Sequence, residues 1–253
     1  MMARELVHRA EEPAVRDWPW TRLTAAAGIV YVVLAVAASI VGGDDPTPAD
    51  SLDRVRAYFV DNRSAVLLGV YLDSLATPFF LAFAAGLGGL VTRRGGDTWG
   101  VLARLIAIGA IGTTTITLVE NMAEAALAFH TAGHGEPGAV QALFDFYMMV
   151  PVLAFPLVAF LVAAAAGIVR SGVAPRWLGW VALVPVLSLL VGAAGLGNPR
   201  GPLAAVGFVG GFLPMLLWTL AVSIALLVRS RVEAPATGER PVQAGAQRWP
   251  AGS

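Results

Sequence analysis

The chain has 253 residues, 57% of them hydrophobic and 13% charged, with mean hydropathy +0.71 and a formal net charge of zero. A soluble domain carries about 25% charged residues, so the surplus apolar surface belongs against lipid. The absence of cysteine excludes disulfides, thiol nucleophiles, Cys-ligated zinc and iron–sulfur clusters, and zero net charge without a basic run gives nucleic-acid binding no support.

Residues 1–21 are polar, mixing Arg4, Arg9 and Arg16 with Glu5, Glu11, Glu12 and Asp17, and read as a short cytoplasmic lead. The first apolar run, Leu23 to Val41, is longer than the roughly 7 to 15 residues of a signal-peptide core and reads as a span. The triplet Ala35-Val36-Ala37 imitates a cleavage site, and cleavage there would leave five spans instead of six. Asp44, Asp45, Pro46 and Pro48 then end the helix. In SLDRVRAYFVDNR, Leu52, Val55 and Phe59 share a face opposite Arg54 and Asp61, which predicts an amphipathic helix lying at the membrane surface or a polar prelude to the next span.

The second span is Ala65 to Val91, closed by Arg93 and Arg94, and a short Gly-Gly-Asp-Thr-Trp turn leads into the third, Trp99 to Phe129. That third span is the most informative stretch. It carries Thr113, Thr117, Glu120 and Glu124 at spacings of four, three and four, which place all of them on one helical face. A carboxylate facing lipid costs roughly 2.5 to 3.5 kcal/mol on insertion scales, so this face should turn toward other helices, a water-filled cavity or the outer interface.

HTAGHGEPG, rich in glycine, is expected to be an outer loop. His130 and His134 have metal-ligand spacing only on a helix, and Gly133 with Gly-Glu-Pro-Gly argues against one, so no metal site is expected. Span four covers Leu143 to Val169, with kinks expected at Pro151 and Pro156. Span five is Leu178 to Leu196 and span six Leu203 to Val228, where Gly207, Gly210 and Gly211 permit close backbone approach. The residues 230–253 are dominated by Pro, Gly, Arg and Ala and are expected to form a disordered cytoplasmic tail after the transmembrane domain at 22–229.

All 17 basic residues are arginine. With both termini cytoplasmic, thirteen lie inside (4, 9, 16, 22, 93, 94, 104, 170, 176, 229, 231, 240, 248) and four outside (54, 56, 63, 200). The positive-inside rule favours this arrangement. A faint internal echo relates Asp73, Pro78, Arg93 and Trp99 to Asp145, Pro151, Arg170 and Trp177.

Arg170-Ser-Gly, a short gap and Pro175-Arg-Trp-Leu-Gly179 leading into an apolar helix resemble a hallmark of a widespread bacterial family of six-helix integral membrane proteins classed as a domain of unknown function. The likeness extends to Arg22, Gly28 and Tyr31, to Asp73 in the second span, and to the entry of the last span, Gly211 to Pro214, so that it covers roughly residues 22 to 230. It implies a six-helix bundle in the bacterial cytoplasmic membrane and supplies no activity or ligand. The third span of that family commonly bears Asn without paired glutamates, which sets Glu120 and Glu124 apart.

At about 1.5 Å per residue, Asp73 lies about 30 Å along its helix from Arg93, and Glu120 about 32 Å from Trp99. Both therefore sit near the outer boundary of a hydrocarbon core about 30 Å thick, with Glu124 beyond it. The expected site is an outward-facing polar cavity lined by Asp73, Thr117, Glu120, Asn121, Glu124, Asp145 and Tyr147, with His130, His134 and Arg200 nearby. The competing reading makes these groups solvated helix ends. Ionised carboxylates could hold a small amphipathic or cationic ligand. Alternatively Glu120 or Asp73 could act as the catalytic acid of an intramembrane enzyme that protonates a lipid or isoprenoid. That chemistry requires a closed apolar pocket, expected from Phe79, Phe83, Phe144, Phe146 and Trp218. Three histidines are too few for a membrane desaturase. Asp44-Asp45 lacks the partner motif of a prenyl-transferring enzyme, and no nucleophile elbow occurs. No cofactor is expected, the lipid bilayer is the one certain partner, and the sequence gives no oligomeric state.

Overall fold

A computed structural model describes residues 18–43, 45–47, 49–95, 100–197 and 208–232. The N-terminal lead up to residue 17, Asp44, Pro48, the turn at 96–99, Arg200, the first part of span six and the tail beyond 232 lie outside the described residues. The fold is all-α, with no strand among the described residues, and six helices or helix pairs are long and apolar enough to cross a membrane.

In chain order the helices are α1 (Trp18–Gly42), α2 (Leu52–Asp61), α3 (Arg63–Gly95), α4 (Gly100–Ala126), α5 (Pro137–Tyr147), α6 (Ala154–Ser171), α7 (Arg176–Val181), α8 (Leu183–Ala193) and α9 (Leu213–Val232). Spans one to three are α1, α3 and α4. Span four is α5 with α6, span five α7 with α8, and span six α9 with the π-helical turn Phe208–Phe212 before it. The main core joins α1, α3, α4 and α6 to α9 around Phe83, Leu87, Phe160, Leu161 and Trp218. In lipid, helices associate through packing, so small residues mark the close approaches. A Cβ on Gly109 would meet the Phe160 backbone nitrogen at 2.5 Å, and one on Gly28 would collide with the Ser223 hydroxyl.

Prolines divide the spans unequally. Pro78 lies within an unbroken α3, because Thr77 Oγ1 donates to the Ser74 carbonyl that Pro78 cannot serve (2.8 Å). Pro151 stands in a 3-10 turn, Val150–Leu153, that separates α5 from α6. The echo between Asp73-Pro78 and Asp145-Pro151 therefore does not extend to geometry. Span five is likewise interrupted at Ala182, where Pro185 leaves the Val181 carbonyl without its helical donor.

Two expectations are corrected at the end of the bundle that carries α2. The supposed loop HTAGHGEPG is helical up to His134: α4 continues as a π-helical turn, Leu127–Thr131, and a last turn, Ala132–His134. Burial of Leu127, Ala128 and Ala132 outweighs the roughly 1 kcal/mol that Gly133 costs in a helix. Only Gly135 and Glu136 are extended before Pro137 opens α5. As a result α5 begins six residues before the expected start of span four.

The apolar face of the amphipathic α2 is covered by protein. Ser51 caps the helix by accepting the Arg54 N–H, and its face of Val55 and Phe59 packs on Leu127, Val140 and Phe144, forming a second core over the helix ends. Phe59 meets the Phe144 and Tyr147 rings edge to face. Just before α2, the Asp50 carboxylate accepts the Thr47 N–H and hydroxyl (2.7 and 2.9 Å) and pairs with Arg54, which together hold its pKa below the usual carboxylate value.

The turn from Arg170 to Gly179 has a local explanation. Gly172 ends α6 with a left-handed φ of 62°, a conformation that side chains resist. Ser171 Oγ donates to Gly167 O and accepts the Val173 N–H, while Arg229 Nη1 donates to the Gly172 carbonyl at 2.6 Å. A Cβ on Gly179 would lie 2.8 Å from the Ala165 carbonyl, so α7 folds back closely on α6. Trp218, 2% exposed, donates its indole N–H to the Leu178 carbonyl (2.7 Å) and is a core residue.

Candidate functional site

Helical periodicity places Thr113, Thr114, Thr117, Glu120, Asn121 and Glu124 on one 120° arc of α4. All six line a cavity of about 420 Å³. Asp73, Thr77 and Phe80 enter it from α3, Tyr31 and Ser39 from α1, and Tyr147 from the end of α5. The break in the fourth span and the outset of the sixth complete the wall with Met148, Pro151, Phe212 and Met215.

The cavity is asymmetric along the bundle. Asp45, Asp73, Glu120 and Glu124 gather toward the end covered by α2, while Phe80, Leu157 and Met215 supply an apolar floor. No Arg or His side chain is among the described lining residues. Asp45 and Ser39 are exposed, so the volume reaches the surface beside the end of α1.

Hydrogen bonds fix one part of the polar end and leave another open. Asn121, 8% exposed, donates from Nδ2 to Asp73 Oδ2 (2.9 Å) and to Ser74 Oγ (3.1 Å), tying α4 to α3. Tyr58 of α2 donates to Asp45 and to the Gly42 carbonyl, which attaches the α2 layer to the rim. By contrast Glu120 Oε1 and Thr114 Oγ1 are buried without a hydrogen-bond partner. Native structures contain few such atoms, and each calls for a bound group or water.

Six of the seven expected site residues, Asp73, Thr117, Glu120, Asn121, Glu124 and Tyr147, thus line one volume. Asp145 does not join them: it is exposed on α5 and accepts from Gln141 Nε2 at 2.7 Å. The break at Met148–Leu153 carries the start of span four away from the straight-helix position that would have aligned it. The expected aromatic wall is also corrected. Phe83 and Trp218 are sealed in the main core, Phe144 is buried under α2, Phe146 is exposed, and Phe79 lines a separate groove between α1 and α3 with Arg93. Phe80, Leu157 and Met215 supply the apolar floor instead. Phe80 follows Phe79 by one residue, and without the helix rotation the two are indistinguishable from sequence.

His130 and His134 are helical after all, with rings stacked 4.4 Å apart. Among the described residues no third ligating side chain groups with them. Comparison with known protein families, curated proteins and solved structures yields no match.

Proposed function

We propose that this multi-pass membrane protein binds, and holds or passes on, a small amphipathic cation in its polar cavity. The observation that carries this reading is the grouping of Asp45, Asp73, Glu120 and Glu124 around one volume lined by no Arg or His among the described residues. Carboxylates brought together at reduced dielectric repel one another, and a cation between them removes that repulsion. The apolar floor suits the hydrophobic part of such a ligand. The arginine distribution supports an orientation with both termini cytoplasmic, so the cavity opens to the outer face of a bacterial cytoplasmic membrane. Membership of the six-helix bacterial family of unknown function is part of the same proposal, supported by the turn at Arg170 to Gly179.

A second reading, the intramembrane acid catalyst acting on a lipid or isoprenoid, draws support from the apolar floor of Phe80, Leu157 and Met215 beneath Glu120. Exposure of Asp45 and Ser39 at the rim counts against it, because a carbocation-forming site must exclude water.

The two readings separate in one experiment. Protein in lipid nanodiscs is titrated with benzylammonium and with benzoate, and its unfolding temperature is followed. A rise with the cation alone, lost in Glu120→Gln, is expected; an equal or larger rise with benzoate contradicts the proposal.

A further inference from the structure

We infer that the cavity is built for an amine that keeps at least one N–H on its cationic nitrogen and carries a second polar group about 9 Å deeper, read by Glu120 and Thr114 respectively. This inference rests on the cation-binding reading and specifies its ligand.

The three consecutive threonines of α4 provide the first observation. Thr113 Oγ1 donates to Gly109 O and Thr115 Oγ1 to Ile111 O, each at 2.8 Å, in the usual back-bond to the preceding turn. Thr114 stands between them on the same helix, yet its hydroxyl makes no such bond. It is 7% exposed and lines the cavity. A buried hydroxyl that bypasses an available carbonyl is positioned for a partner from another molecule.

The second observation is the division of labour among the carboxylates. Asp73 is engaged by Asn121, and Asp45 by Tyr58. Glu120 Oε1 has no partner. A buried carboxylate oxygen needs an N–H or O–H donor as well as a nearby charge. A quaternary ammonium offers charge without a donor and is held instead in a cage of aromatic faces. Four aromatic rings, Tyr31, Phe80, Tyr147 and Phe212, line the volume, so a quaternary ion is the competing occupant that the titration below must reject. Glu120 and Thr114 are six residues, or about 9 Å, apart along α4. The two positions are also about 120° apart around the helix, and a six-carbon amino alcohol, about 9 Å from nitrogen to oxygen with a hydrogen bond added at each end, is long enough to reach both.

Calorimetric titration in nanodiscs with hexylamine, 6-aminohexan-1-ol and the N-trimethylated form of each tests both contacts. Each amine should bind about tenfold more tightly than its trimethylated form, the size of one charge-assisted hydrogen bond. Glu120→Gln should abolish that preference. Thr114→Val should weaken 6-aminohexan-1-ol about tenfold and leave hexylamine unchanged, with Thr114→Ser restoring the wild-type value. Unaltered hexylamine binding by Thr114→Val shows in the same series that the variant is folded. Equal affinity for amines and quaternary ions, both lost in Glu120→Gln, would overturn the inference while leaving the cation reading standing. Failure of all four cations to bind the wild type would end the cation reading itself.

Discussion

Asn121 shows how a single side chain converts helix packing into a site. Its amide joins Asp73 and Ser74 across the interface between α4 and α3, where it is almost fully buried. Hydrogen bonds between membrane helices average about 0.6 kcal/mol, and an uncompensated buried partner costs about 1 to 3. Asn121→Leu removes both bonds and leaves the Asp73 carboxylate facing an apolar group. We predict a loss of about 1 to 3 kcal/mol in nanodisc unfolding, reduced by the second change Asp73→Leu, which removes the stranded partner. A strictly additive double variant would show that the two side chains do not interact. The stripe of Thr113, Thr117, Glu120 and Glu124 was legible because four polar residues at helical spacing have few places to face in a membrane. Tyr31 and Thr114 were not, because an isolated Tyr or Thr in an apolar run carries no signal of which side it takes.

Among the elements, α2 departs furthest from its sequence reading. Its amphipathic pattern is compatible with a bilayer surface or with a protein surface, and periodicity cannot separate the two. The structure provides a protein partner, because α4 runs on past its expected end and α5 starts early, giving Phe59 a site among Leu127, Val140 and Phe144. Phe59, 0% exposed, is the centre of this layer. Truncation of a buried Phe typically costs about 3 to 5 kcal/mol, so Phe59→Ala should release α2 while the transmembrane core persists. Hydrogen exchange should then accelerate in 51–62 and 127–147 and not in α6. Uniform acceleration through α6 would make the layer part of one cooperative unit with the core. Where both ends are described, the spans were readable to within about six residues, because the apolar runs are ended by Pro, Gly or Arg. The break at Pro151 was anticipated, whereas the continuity of α3 through Pro78 depends on the Thr77 hydroxyl, a contact that spacing alone does not disclose.

In the whole molecule, an even number of spans puts both ends of the transmembrane domain on one side, which the proposed orientation, resting on the arginine count, makes the cytoplasmic one. Single cysteines at exposed Gly138 and at Gly95 test the choice with an impermeant maleimide on intact cells. Gly138→Cys should label directly, and Gly95→Cys only after the membrane is opened; the reverse pattern would invert the orientation.

In the proposed function an amine occupies the volume lined by Asp73, Glu120 and Glu124. An alkylamine bearing a diazirine, photolysed with the protein in nanodiscs and mapped by peptide mass spectrometry, locates the occupant directly. Adducts are expected on peptides of α3 and α4 that contain these carboxylates, suppressed by excess hexylamine and by Glu120→Gln. Adducts confined to the groove of Trp20, Phe79 and Arg93 or spread over the lipid-facing surface, and indifferent to Glu120→Gln, would contradict the proposed function.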